Sequence, residues 1–191
     1  MRAAAYTALK RNIDQKEEWI MKTSSYIVAL TLTTVAAHHA VWGQGGAEKE
    51  RAELAKALSG AKVSLGAGLT ASVSEGKPIS AKFEVEEGKL QLSVYSEKDG
   101  KFSEVVVDHQ SGKVAKSEAI TEGEDLTAAK SQSAAMLKAK GSLTKAVAKA
   151  VAQNRGYRAV SIVPSLKDGH VIAEVELVKG HRWKTVTEKL D

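Results

Sequence analysis

The chain has 191 residues, 43% apolar and 27% charged, with a net charge of +5 and no cysteine. That balance suits a globular protein of one ordinary domain or two small ones. The missing cysteine excludes disulfides, thiolate metal sites, a cysteine nucleophile and a lipidated N-terminal cysteine.

Residues 1–20 are polar and mixed in charge, with Lys16, Glu17 and Glu18 adjacent. Tyr26 to Ala37 is an apolar run of about a dozen residues, too short and too threonine-rich for a span of about 20. It suits the apolar region of a secretory signal, with Val35-Ala36-Ala37 and Val41-Trp42-Gly43 offering cuts after Ala37 or Gly43. Residues 1–43 are therefore expected to be an upstream extension plus a signal peptide, with translation starting at Met21. The competing expectation is an uncleaved N-terminal anchor. The mature chain is expected in the periplasm or secreted, and does not span a membrane.

Residues 47–59 are helix formers with Leu54 and Leu58 four apart, stopped by Gly60. Leu65, Leu69 and Val73 predict one apolar stripe on a helix of about three turns, weakened at Gly66 and Gly68. Three extended runs follow. Ala81, Phe83 and Val85 alternate with polar residues, as do Leu90, Leu92 and Val94, and then comes Phe102 to Val107. Glu87-Gly88 and Asp99-Gly100 between them are hairpin dipeptides. Asp108 can open a turn on its own backbone, and Gly112 can take the positive φ that closes it. Lys113 to Ile120 supplies a fourth, edge strand.

A helix is predicted over 121–140, capped by Thr121 or Asp125, with Leu126, Met136 and Leu137 on its apolar side and Gly141 ending it. The chain then repeats itself. Ala61-Lys62-Val63-Ser64-Leu65 matches Ala139-Lys140-Gly141-Ser142-Leu143, 78 positions later. Leu143, Val147 and Val151 reproduce the first stripe. Val160 and Ile162 open the strands, Asp168-Gly169 and Lys179-Gly180 give the turns, and Trp183 falls where Phe102 falls. A counterpart of the Asp108–Gly112 turn and fourth strand is not expected in the second copy.

The expected fold is α+β: two tandem units, each a helix packed on an antiparallel β-meander, preceded by helices. The units are expected over 44–120 and, with a leading helix, over 121–191. The stretch Gly100 to Val114, GKFSEVVVDHQSGKV, resembles the end of a PepSY domain. The second copy, SLTKAVAKAV followed by YRAVSIV and DGHVIAEVEL, is similar to a second, looser unit. The resemblance implies an exported bacterial protein of a kind found in propeptides of some secreted metallopeptidases, where a peptidase-inhibiting role is proposed. It brings no catalytic residues.

The residues point the same way. His38 and His39 lie beside the signal, while His109, His170 and His181 sit at turns without companions at ligand spacing. No serine lies in G-x-S-x-G, and no third glycine completes a dinucleotide loop at Gly66 and Gly68. Glu86-Glu87 reads as a solvated hairpin tip, and Trp183 as core. Lys138, Lys140, Lys145 and Lys149 read as a solvated helix face, so nucleic acid is not an expected partner. No catalytic residue, metal or cofactor is expected. The expected function is a non-enzymatic binding module for another exported polypeptide, with a peptidase as first candidate. The alternatives are an accessory of an envelope metal-uptake or redox system, and a hydrolase.

Overall fold

The structure, a computed structural model, describes residues 44–191. The signal-type run and both candidate cleavage positions, Ala37 and Gly43, lie outside the described residues.

Helix α1 spans Gln44–Ala57 and runs into a 3₁₀ turn at Leu58–Gly60. Most of α1 is exposed, with Leu54 and Ala55 partly buried and Leu58 buried. Helix α2, Leu65–Ala71, starts at Ser64, whose side chain accepts from the Ala67 N–H at 3.1 Å. Four strands follow: β1 Lys77–Glu86, β2 Lys89–Lys98, β3 Lys101–Val107 and β4 Val114–Ile120. Helix α3 covers Gly123–Lys138, and helix α4 covers Leu143–Gln153, with Ser142 accepting from the Lys145 N–H at 3.3 Å. Strands β5 Arg158–Lys167, β6 His170–Lys179 and β7 Arg182–Lys189 complete the chain.

All seven strands form one antiparallel sheet in the order β4-β3-β2-β1-β5-β6-β7. β1 joins β5 through Ala81 opposite Ile162 and Lys82 opposite Ser161. On one face Ala81, Phe83, Leu92, Val94, Val105 and Val107 continue into Ile162, Ala173, Val175 and Leu177, all buried. Helices α2 and α4 pack on this face and against each other. The buried apolar side chains of both sheet halves belong to one cluster.

Two stripes depart from expectation. Val73 is 60% exposed, whereas Leu65 and Leu69 are 1% exposed. The α-helix tightens into a 3₁₀ turn at Ser72–Ser74, and three residues per turn instead of 3.6 rotates Val73 off the apolar face. Ser72 is buried in its place, its hydroxyl donating to the Leu69 carbonyl at 3.1 Å. In α3, Leu137 is 75% exposed; the buried side is Ala129, Ser133 and Met136, a stripe of mostly small residues. The helix follows Glu122, which makes no side-chain cap, and not Thr121 or Asp125.

The same local arrangements occur twice. Ile79 and Val160 are each the extra residue of a bulge, in the β1–β2 and β5–β6 pairs, and each is 1% exposed. The Lys62 and Val63 N–H groups donate to the His109 carbonyl at 2.9 and 3.0 Å. Those of Lys140 and Gly141 donate to the Leu190 carbonyl at 2.7 and 2.8 Å. The Arg158 guanidinium donates to the carbonyls of Leu58, Ala61 and Val63 at 3.0, 3.0 and 2.6 Å. The Lys77 ammonium donates to the Met136 carbonyl at 3.1 Å. The first residue of β5 thus closes the end of α1, and the first residue of β1 closes the end of α3.

Candidate functional site

The turn after β3 is a clamp. Asp108 Oδ1 accepts from both the N–H and the hydroxyl of Ser111 at 2.6 Å, and these bonds hold its carboxyl below the usual range. The Gly112 N–H donates to the Asp108 carbonyl at 2.8 Å, and the Asp108 N–H to the Lys113 carbonyl at 2.8 Å. Gly112 takes φ +76°. Besides the two N–H groups on the His109 carbonyl, Gln110 Nε2 donates to the Gly60 carbonyl. The turn therefore fixes the link between α1 and α2, and this arrangement gives Asp108 and Gly112 a structural role.

The remaining candidates lie apart. His109 is in this clamp, and His170 pairs with Asp191 across the start of β6. Among the described residues no three His, Cys, Asp or Glu side chains converge as a metal set would. Trp183 is half-buried with the Arg51 guanidinium 5.4 Å from its ring centre, and Arg51 also pairs with Glu176 at 2.8 Å. Lys149 does not belong to a free basic face: its ammonium meets the buried Glu188 at 2.6 Å.

The second sheet face carries a cluster that strand alternation placed but did not assemble. The Lys82 ammonium lies 2.6 Å from Glu84 and 5.6 Å from the Tyr95 ring centre. The Ser93 hydroxyl donates to the other Glu84 oxygen at 2.8 Å. Gln91 Nε2 reaches the Ser93 hydroxyl at 2.9 Å and Glu104 at 3.3 Å. Burial by itself favours the neutral amine of Lys82, but Tyr95 and Glu84 hold its pKa above the ordinary value. Burial raises the Tyr95 phenol against the pull of Lys82. Burial also raises the Glu104 carboxyl, and the neighbouring Glu84 charge adds to it. Register brings these residues together: Lys82 faces Ser93, Glu84 faces Gln91, and Tyr95 faces Glu104. The only sequence signal was the polar side of each alternating strand.

The two sheet edges are exposed in different ways. Among the described residues β4 pairs only with β3, and its five central residues are all exposed. Beside it, an open groove of about 390 Å³ is lined by Glu75, Lys98, Phe102, Ser103, Ser117 and Ala119. Its floor is the part of β3 and β4 beyond the end of α2. Among the described residues β7 pairs only with β6. A second groove of about 280 Å³ lies where α2 and α3 end and α4 begins. No helix among the described residues is long and apolar enough to cross a membrane. No family model, characterised protein or solved structure matches the chain.

Proposed function

We propose that residues 44–191 form two tandem PepSY-type units that bind an extended segment of another exported polypeptide, a secreted or envelope peptidase being the first candidate. Support for the tandem reading comes from the twice-made bulges, N-caps and carbonyl clamps. Their strand positions are 81 apart and their helix positions 78 apart. Each unit would be a helix pair leading into a meander, with the meanders joined edge to edge through β1 and β5. The resemblance of GKFSEVVVDHQSGKV to a PepSY end supplies the family, and export follows from the run Tyr26 to Ala37.

The observation that carries the binding reading is the outer edge of β4, which has no partner strand among the described residues, beside its groove. An extended chain added to a sheet edge gains main-chain hydrogen bonds, and alternate side chains can enter a neighbouring groove. A strand held this way on a peptidase's substrate segment, or within its groove, would slow turnover without any chemistry of its own.

The test is to titrate the purified protein into thermolysin-like and other envelope peptidases, with Gly112→Ala as control, alongside affinity capture from the exporting cell's envelope. Slowed turnover at micromolar protein is the expected result. No slowing and no captured polypeptide would overturn the reading. N-terminal sequencing from an exporting host tests export: an intact Met1 or Met21 on cytosolic protein would defeat it.

A further inference from the structure

We infer that the outer edge of β7 is a strand-accepting site selective for acidic extended segments, an inference that rests on the polypeptide-binding reading and names a partner class for one edge. β7 is the positional counterpart of β3. In the β2–β3 pair Glu97 faces Phe102 and Leu92 faces Val107; in the β6–β7 pair Val178 faces Trp183 and Ala173 faces Glu188, each 81 positions on. The outer edge of β3 accepts β4, with Ile120 opposite Phe102 and Ala119 opposite Ser103. The outer edge of β7 has no partner strand among the described residues. The molecule therefore displays, on β3, the geometry of an occupant for β7: antiparallel, with its residues opposite Trp183 and Lys184 where Ile120 and Ala119 stand opposite β3.

Charge selects the occupant. β7 carries Arg182, Lys184 and Lys189, all exposed, and among the described residues none of them is in an ion pair, although the Lys184 ammonium donates to the neutral Asn154 Oδ1 at 2.6 Å. Its one acid, Glu188, is 4% exposed and already satisfied by Lys149. A neutral strand laid here would desolvate these cations without pairing them, and cations on an edge strand discourage indiscriminate strand addition. A second copy of β7 would set like charges against one another across the new pair. A segment with carboxylates opposite Lys184 and Arg182 and an apolar residue opposite Trp183 satisfies all three positions.

The probe is a capped peptide, Thr-Thr-Val-Thr-Glu-Val-Glu, which in the β4 register places its glutamates opposite Lys184 and Arg182. It is compared with the same peptide carrying glutamine for glutamate, on the full 191-residue chain. Amide hydrogen exchange is read at 182–189 and at 114–120. The acidic peptide is expected to slow the outward amides of 182–189. The glutamine peptide should bind about ten-fold more weakly, because charge-assisted contacts are lost. Raising salt from about 50 to about 500 mM should weaken only the acidic peptide. Arg182→Glu should weaken the acidic peptide while leaving the unfolding midpoint unchanged. Equal protection by the two peptides, or outward amides already slow in the free chain, overturns the inference. Protection confined to 114–120, or at neither edge, overturns it while leaving the polypeptide-binding reading to be decided by the peptidase titration.

Discussion

Ala81 and Ile162 face each other across the single junction between β1 and β5, and they are also the residues that correspond to one another in the two halves of the sheet. They lie 81 positions apart, the offset that also separates Ile79 from Val160 and His109 from Leu190. Both side chains are buried, at 1% and 0% exposure, on the face that α2 and α4 share. The junction thus lies inside the one apolar cluster, not between two.

A shared cluster predicts shared unfolding. Ile162→Ala is expected to cost about 2–5 kcal/mol, the range for a buried large-to-small change. Far-UV dichroism, which reports all the strands, and the fluorescence of Trp183 in a background with Trp19→Phe and Trp42→Phe, which reports β7, should show one coincident denaturant transition with and without Ile162→Ala. Two separated transitions would mean that the halves fold independently.

Arg158 and Lys77 occupy corresponding places but do unequal amounts of holding. Arg158 satisfies three carbonyls with a planar fork, while Lys77 satisfies one as a point charge. Arg158→Ala should cost about 1–3 kcal/mol through carbonyls left without partners, and Lys77→Ala less. Amide exchange in 58–64 should speed up in the arginine variant while the 136–141 amides stay slow. Similar losses from both variants would show that the number of carbonyl contacts is irrelevant.

The glycines of α2 separate two kinds of constraint. A Cβ on Gly66 would sit 3.8 Å from Val147, an ordinary contact, so Gly66→Ala should stabilise by about 0.5–1 kcal/mol through helix propensity. A Cβ on Gly68 would lie 2.5 Å from Leu92 Cδ2, and Gly68→Ala should destabilise by about 1–3 kcal/mol through overpacking. At Gly112 there is room, since the nearest atom is Val63 Cγ2 at 3.6 Å, so Gly112→Ala should cost about 1–2 kcal/mol from backbone geometry alone. Denaturation midpoints measure all three, and Gly68→Ala matching Gly66→Ala would refute the close-approach argument.

Glu104 sets a pH dependence. Its carboxyl titrates above the ordinary value of 4.5, so the folded state holds the proton more tightly than the unfolded chain does. The resulting stability is present below that ordinary value and is lost as pH rises through the folded value. Glu104→Gln removes this loss, so the variant should gain on the parent protein as pH rises from about 4 to 7. Thermal or denaturant midpoints across that range check it. A constant difference at every pH would show that Glu104 is not the group responsible.

Local chemistry was enough for much of this protein. Alternation in β1, β2 and β6 and the glycine turns at 88, 100 and 169 each follow from a few neighbouring residues. The repetition of Ala61–Leu65 at Ala139–Leu143 was equally legible, because it is a comparison within the chain. Sequence could not say that β1 would pair with β5, since either meander edge can accept a strand and the packing that goes with this choice, α2 against α4 and α3 against both β1 and β5, is tertiary. Nor could it expose Val73 and Leu137, because that depended on a 3₁₀ turn and on which side of α3 met the sheet. Lys82, Glu84, Gln91, Ser93, Tyr95 and Glu104 were each visible as polar strand positions. Only the register of three strands made them neighbours, and only neighbours with partial burial shift one another's protons.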